Sequence, residues 1–163
     1  GVGLRQQGKL APVQSIDQPV KLGDDNAFIL CEPGSGMHIE YRLTYDHPLL
    51  QSSAQASYQH SMEAFSLLAR ARTFGFSNDL IALKSNGLAK GASSSNAVGY
   101  DHQGLMSGCV LRSPNESAQH KILDFLGDMM LLGRRWQGRI TAKASGHTMN
   151  QQLVSEVADL VCV

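Results

Sequence analysis

The sequence predicts an α+β fold, a mostly antiparallel sheet with helices packed on one face, and three observations predict it. Residues 1–50 are rich in strand-like segments, and the clearest, Ile39–Tyr45, alternates apolar and polar side chains. Two later segments, about 118–132 and 148–160, read as helices, the first between a cap at Asn115 or Ser117 and a stop at Gly133, the second after the Ser145-Gly146 turn. Between them, Trp136–Ala144 reads as a further strand, so strands and helices are segregated rather than strictly alternating.

In chain order, Val13–Val20 and Ala27–Cys31 are companions to Ile39–Tyr45. They are separated by the turn material Gly23-Asp24-Asp25-Asn26 and Pro33-Gly34-Ser35-Gly36. Asp46-His47-Pro48 ends the third strand, because the residue before a proline is pushed out of the helical region. Ser61 suits the N-cap of a helix through Ala71, with Met62, Phe65, Leu68 and Ala69 on one face. Thr73-Phe74-Gly75-Phe76 breaks that helix. Asn78–Ser85 forms a short second helix with a C-cap signal at Asn86-Gly87. Ala97–Tyr100 is a strand leading into a turn at Asp101–Gly104. Asn115 or Ser117 caps the long helix, Gly133 stops it, and Arg134-Arg135 suits the negative end of its dipole. Ser145-Gly146 turns the chain into the closing helix.

The bulk composition narrows the class. Hydrophobic residues make up 42% and charged residues 17%, enough apolar content for a core in a single domain spanning 1–163. Fourteen basic residues balance fourteen acidic ones, which argues against a nucleic-acid binder. Cys31, Cys109 and Cys162 are odd in number and lack a CxxC pair, so a reducing compartment is expected. No apolar run reaches the roughly 20 residues that span a bilayer. Gly1-Val2-Gly3 reads as a processed or truncated start.

The chemistry concentrates in His120-Lys121-Ile122-Leu123-Asp124-Phe125-Leu126-Gly127-Asp128 and in Ser145-Gly146-His147. On a helix, His120, Asp124 and Asp128 share one face. His120 and Asp124 are spaced to ligate one divalent ion such as Zn2+, although a surface pair explains HxxxD equally well. Asp128 suits a carboxylate that orients an imidazole, or a solvated helix residue. His147 suits a proton donor over the same site, or a plain loop histidine. Lys121 offers a cation to a phosphate or to water, and Thr73 a hydroxyl for an oxyanion or for a helix end. His38, His47, His60 and His102 have no comparable context.

Together these segments resemble the zinc-dependent UDP-3-O-acyl-N-acetylglucosamine deacetylases of lipid A synthesis. The resemblance rests on Ala71-Arg72-Thr73-Phe74-Gly75-Phe76, His120-Lys121-Ile122-Leu123-Asp124 with Gly127-Asp128, and Lys143-Ala144-Ser145-Gly146-His147 with Asn150. Weaker echoes are Asp46-His47-Pro48 and Asn96-Ala97. It runs in order from about residue 10 to 157 and covers only the second half of a two-domain deacetylase.

The resemblance implies that His120 and Asp124 are Zn2+ ligands and that Lys121 meets the anionic part of the substrate. It implies that His147 is the acid for the leaving amine, Asp128 holds its ring, Thr73 stabilises the oxyanion and Phe74 packs near the sugar. Residues from about 78 to 100 would be a small βαβ insert walling an acyl passage. The implied substrate is UDP-3-O-acyl-N-acetylglucosamine. The family's first domain supplies a third ligand (a histidine) and the glutamate base, and this sequence has no counterpart of either. That domain is expected on a partner chain, in a cleaved partner or outside this sequence, in the cytoplasm of a bacterium or in a plastid or mitochondrion. The competing expectations are an inactive structural subunit derived from the deacetylase and, ranked last, a free-standing sugar-nucleotide or lipid-binding module.

Overall fold

The computed structural model describes residues 8–45, 47, 49–50 and 55–161. The readings of Gly1-Val2-Gly3, Asp46, Pro48 and Cys162 lie outside the described residues. The strands are β1 (Val13–Ser15), β2 (Val20–Gly23), β3 (Phe28–Glu32), β4 (Met37–Arg42), β5 (Gln55–Gln59), β6 (Thr73–Phe76), β7 (Ala97–Asp101), β8 (Gly104–Leu105) and β9 (Arg135–Lys143). The helices are α1 (Met62–Leu68), α2 (Ser77–Ser85), α3 (Glu116–Met129) and α4 (His147–Val161), with a 3-10 turn at Met130–Leu132 after α3.

The main sheet runs β2-β3-β9-β4-β5, with β1 also pairing β9. β9 sits at its centre, antiparallel to β3 and parallel to β4 and β1. Its burial alternates, with Trp136, Gly138, Ile140 and Ala142 turned inward. Register then builds a continuous apolar surface. Cys31 and Ile39 flank Ile140, Ile29 and Tyr41 flank Ala142, and Tyr58 and Ala56 extend the row across β4. All of these are at most 4% exposed. A one-residue slip would turn the whole set to solvent, which is why the pairing is specific. Burial of each large side chain contributes about 1.5–3 kcal/mol. It also pushes the Cys31 thiol up to about 12, so this cysteine is inert.

α3 and α4 cover this surface. Ala118, Ile122, Phe125 and Met129 recur at helical spacing on the buried face of α3, and Leu153 and Val157 do so on α4. The row His120, Asp124 and Asp128 is thereby turned away from the sheet. α1 is capped as expected, with Ser61 Oγ accepting from the Ala64 N–H at 3.0 Å. α3 begins at Glu116, two residues before the expected start, and Asn115 makes no side-chain cap bond. Ser117 lies inside the helix, hydrogen-bonded to the Tyr100 hydroxyl at 2.9 Å. Gly133, in the left-handed region at φ 62°, ends the 3-10 turn.

Three differences from the sequence reading arise from pairing between distant residues. Val13–Val20 divides into β1 and β2, which join different partners. β5 was not foreseen, since its alternation comes from Ala56 and Tyr58 packing beside β4. Thr73–Phe76 does more than break a helix. It is a strand parallel to β7, and with α2 between them the two form a βαβ unit extended by β8.

Gly138 makes a close approach inside β9. Its φ is +153°, and an added Cβ would fall 2.7 Å from Ile16 Cδ1 and 2.8 Å from the Glu32 carbonyl oxygen. The carbonyl belongs to a paired strand and cannot yield. Gly138→Ala is expected to destabilise the chain by about 1–3 kcal/mol, read from urea unfolding midpoints. An unchanged midpoint would rule out the clash.

Candidate active site

Helix periodicity places His120, Asp124 and Asp128 along the outer face of α3, and the β9–α4 turn brings His147 over them. That turn is tied back to β4 through its backbone. The Tyr41 hydroxyl donates to the Ser145 carbonyl, and the Ala144 N–H donates to the Arg42 carbonyl at 3.0 Å. Ala144 itself sits in the left-handed region at φ 50°, a strained conformation for a residue with a side chain. Burial pushes the Tyr41 phenol up to about 12, so it stays a neutral donor to Ser145.

His147 Nδ1 lies 2.8 Å from Asp128 Oδ2. A carboxylate accepts, so Nδ1 carries the proton and Nε2 is the free atom. Asn150 Nδ2 donates to the same Asp128 oxygen at 2.8 Å, a second restraint on that carboxylate. His147 Nε2 is 4.0 Å from Asp124 Oδ2. The His147 side chain is 59% exposed while Asp128 is 12% exposed, so the imidazole is reachable and its carboxylate is enclosed.

His120 Nε2 faces Asp124 Oδ1 at 3.3 Å. Its Nδ1 donates to the Ala71 carbonyl at 3.2 Å, which leaves the Nε2 lone pair available. Lys121 Nζ donates to Asp124 Oδ2 at 3.0 Å and stands 5.9 Å from the Phe74 ring centroid. Thr73, Phe74, His120 and Lys121 line one cavity of about 360 Å³ with Tyr45 and Asp79. Thr73 and Phe74 also border a second, more apolar cavity of about 530 Å³ between β6, β7 and α2, with Leu80, Leu83, Val98 and Met106.

The structure thus joins all seven residues singled out in the sequence. Phe74, Lys121, Asp124, His120, His147 and Asp128 are linked by successive contacts, and Thr73 shares the cavity. Among the described residues, no group of three or more His, Cys, Asp and Glu side chains is arranged to hold a metal ion. The pair His120 Nε2 and Asp124 Oδ1 nevertheless suits two corners of a tetrahedral zinc site. Donors about 2.0–2.2 Å from one ion at that angle stand about 3.3–3.6 Å apart.

Sequence reasoning passed over three participants. Glu116 and Arg72 form a buried ion pair, Nε to Oε1 at 2.8 Å, one residue from both Ala71 and Thr73. Burial alone would raise the Glu116 carboxyl, but its hydrogen bonds from the Arg72 side chain and from the Arg112 and Arg72 N–H groups outweigh that and hold it at about 2. Tyr41 is the third, through Ser145. The only signal in the sequence was Arg72 inside a quoted motif. His47, given no role, is 5% exposed, and its Nε2 donates to the Asp101 carbonyl at 2.6 Å.

Comparison with known proteins completes the picture. A family model described as UDP-3-O-acyl N-acetylglycosamine deacetylase matches residues 1–159. A protein of Oleidesulfovibrio alaskensis named UDP-3-O-acyl-N-acetylglucosamine deacetylase is 37% identical over 158 residues, covering 96% of this chain and 52% of its own length. The protein of the same name from an Anaeromyxobacter species is 39% identical over 163 residues, covering 98% and 53%. That from Coxiella burnetii is 36% identical over 157 residues, covering 95% and 52%. The chain spans about half the length of the curated relatives it matches.

Proposed function

The chain belongs to the UDP-3-O-acyl N-acetylglycosamine deacetylase family, and we propose from that membership that it forms one half of a zinc-dependent deacetylase site. The reaction under this reading removes the N-acetyl group of UDP-3-O-acyl-N-acetylglucosamine in lipid A biosynthesis. The observation that carries it is the connected row in which Asp128 holds His147 at 2.8 Å while His147 Nε2 approaches Asp124 at 4.0 Å. An acid with its orienting carboxylate stands beside a two-donor metal pair.

His120 and Asp124 would hold the ion, and Zn2+ bound there supplies Lewis acidity and a water whose pKa falls to about 7. His147, protonated at both ring nitrogens, gives its Nε2 proton to the amide nitrogen as the amine departs. Asp128, 2.8 Å from Nδ1, keeps the ring aligned for this step. The Thr73 hydroxyl donates to the oxyanion, Phe74 packs on the sugar, and Lys121 meets the anionic part of the nucleotide. The apolar cavity between β6, β7 and α2 takes the acyl chain, with residues of about 78–100 as an insert on a single domain spanning 1–163.

Two protein donors bind zinc weakly, since a catalytic site uses three plus water. The third donor and the water-activating base come from the other half of the deacetylase, on a partner chain or on another part of the same protein. No helix among the described residues is long and apolar enough to cross a membrane. The half-site reading places the protein in the cytoplasm of a bacterium, or in an organelle of a eukaryote.

Metal analysis and a deacetylation assay, with and without the other half supplied, test the proposal. The 163-residue chain is expected to lack stoichiometric zinc and turnover alone, and to gain both when the other half is added. Full activity of the chain by itself would overturn the half-site. No activity in the combined protein would leave an inactive subunit of deacetylase descent.

A further inference from the structure

We propose that Glu116 and Arg72 are a positioning pair for this site, holding Ala71 against the His120 ring and Thr73 at the mouth of the cavity. The chemical consequence rests on the deacetylase-half reading, while the geometry does not. Both side chains are buried, Glu116 at 1% and Arg72 at 7% exposure. Arg72 Nε and Nη2 reach Glu116 Oε1 and Oε2 at 2.8 and 2.9 Å, a two-pronged fork. The Arg72 N–H adds a bond to Oε1 at 3.0 Å and the Arg112 N–H one to Oε2 at 2.7 Å. One carboxylate therefore takes four donors. The guanidinium also donates to the Ser94 carbonyl at 2.5 Å and to Val110 at 2.6 Å, tying in the chain on either side of β7 and β8.

What this clamp does follows from the neighbours of Arg72. The Ala71 carbonyl, on one side, accepts from His120 Nδ1 at 3.2 Å and so sets which ring nitrogen bears the proton. On the other side Thr73 opens β6 and faces the cavity. Glu116 and His120 stand one turn apart on α3. The contacts thus close a ring, from Glu116 to the Arg72 peptide, to the Ala71 carbonyl, to His120 and back along the helix. If the Arg72 peptide rotates, His120 loses its acceptor and Thr73 leaves the cavity wall together.

Two variants separate positioning from bulk stability. Glu116→Gln keeps the shape and removes the charge. Arg72→Met with Glu116→Leu replaces the pair by apolar side chains, an exchange that often preserves stability. Nitrogen-15 NMR of the His120 ring in the metal-free chain reads the tautomer, and kinetics of the protein combined with its other half read turnover. The folded double variant is expected to change the His120 ring from one Nδ1–H tautomer to a mixture. Its kcat is expected to fall about 10- to 100-fold, with KM changed by no more than about 2-fold. A folded double variant with the tautomer and kcat retained would overturn the positioning role. So would failure of both variants to fold, which would make the pair a stabilising element only. Should the combined wild-type protein show no deacetylation, the functional reading fails, and the NMR result still decides the clamp.

Discussion

His147→Ala, in the chain combined with its other half, is expected to lower kcat for deacetylation by about 10²–10⁴-fold. The geometry explains the size. Nδ1 is anchored by Asp128 at 2.8 Å, so Nε2 is the one ring nitrogen turned toward Asp124. Without a proton donor at that point the amine leaves as an anion, which water disfavours. The ring is 59% exposed, so its removal opens no core cavity and the melting temperature is expected to change little. Loss of rate without loss of fold is the outcome that marks His147 as the acid. A variant with wild-type kcat would assign the proton to another group. Asn150→Ala is a milder companion, because it removes one of two restraints on Asp128 and leaves His147 in place.

Glu116→Ala carries the largest expected effect on stability, a loss of about 3–5 kcal/mol, because it leaves the Arg72 charge buried and unpaired. The effect depends on pH in a definite direction. In the folded chain the Glu116 carboxyl is held at about 2, below its ordinary 4.5. A depressed carboxyl contributes stability that is complete above 4.5 and is lost as pH falls toward about 2. Urea unfolding of wild type and variant should therefore differ most near neutrality and converge in acid. A gap that widened as pH fell would contradict the assignment of Glu116 as the ionised partner. The expected loss is a large fraction of what holds a domain of this size together.

Most of the site was legible because helix periodicity is local. His120, Asp124 and Asp128 share a face for the same reason that Ile122, Phe125 and Met129 share the opposite one. Neither statement needs a distant residue. The Ser61 cap and the Gly133 stop were legible on the same ground, since each acts on backbone groups within one turn. The motif resemblance added what spacing cannot supply, a reaction and a role for each side chain, and it pointed to the family that the comparisons then showed.

Tertiary structure decided the rest, and in each case the missing information was a pairing across the chain. β5 depends on β4 beside it, and Thr73–Phe76 became a strand only through Ala97–Asp101. Arg72 meets Glu116 across 44 positions, and Tyr41 meets Ser145 across 104. A buried ion pair is stable only when both charges and their hydrogen bonds are matched in space, and no local pattern encodes that match. The sequence by itself determined the row His120, Asp124 and Asp128 on one helix face and pointed to the family. Only the folded chain decided which carbonyl orients His120, which hydroxyl anchors the turn before His147, and which buried pair lies behind Ala71 and Thr73.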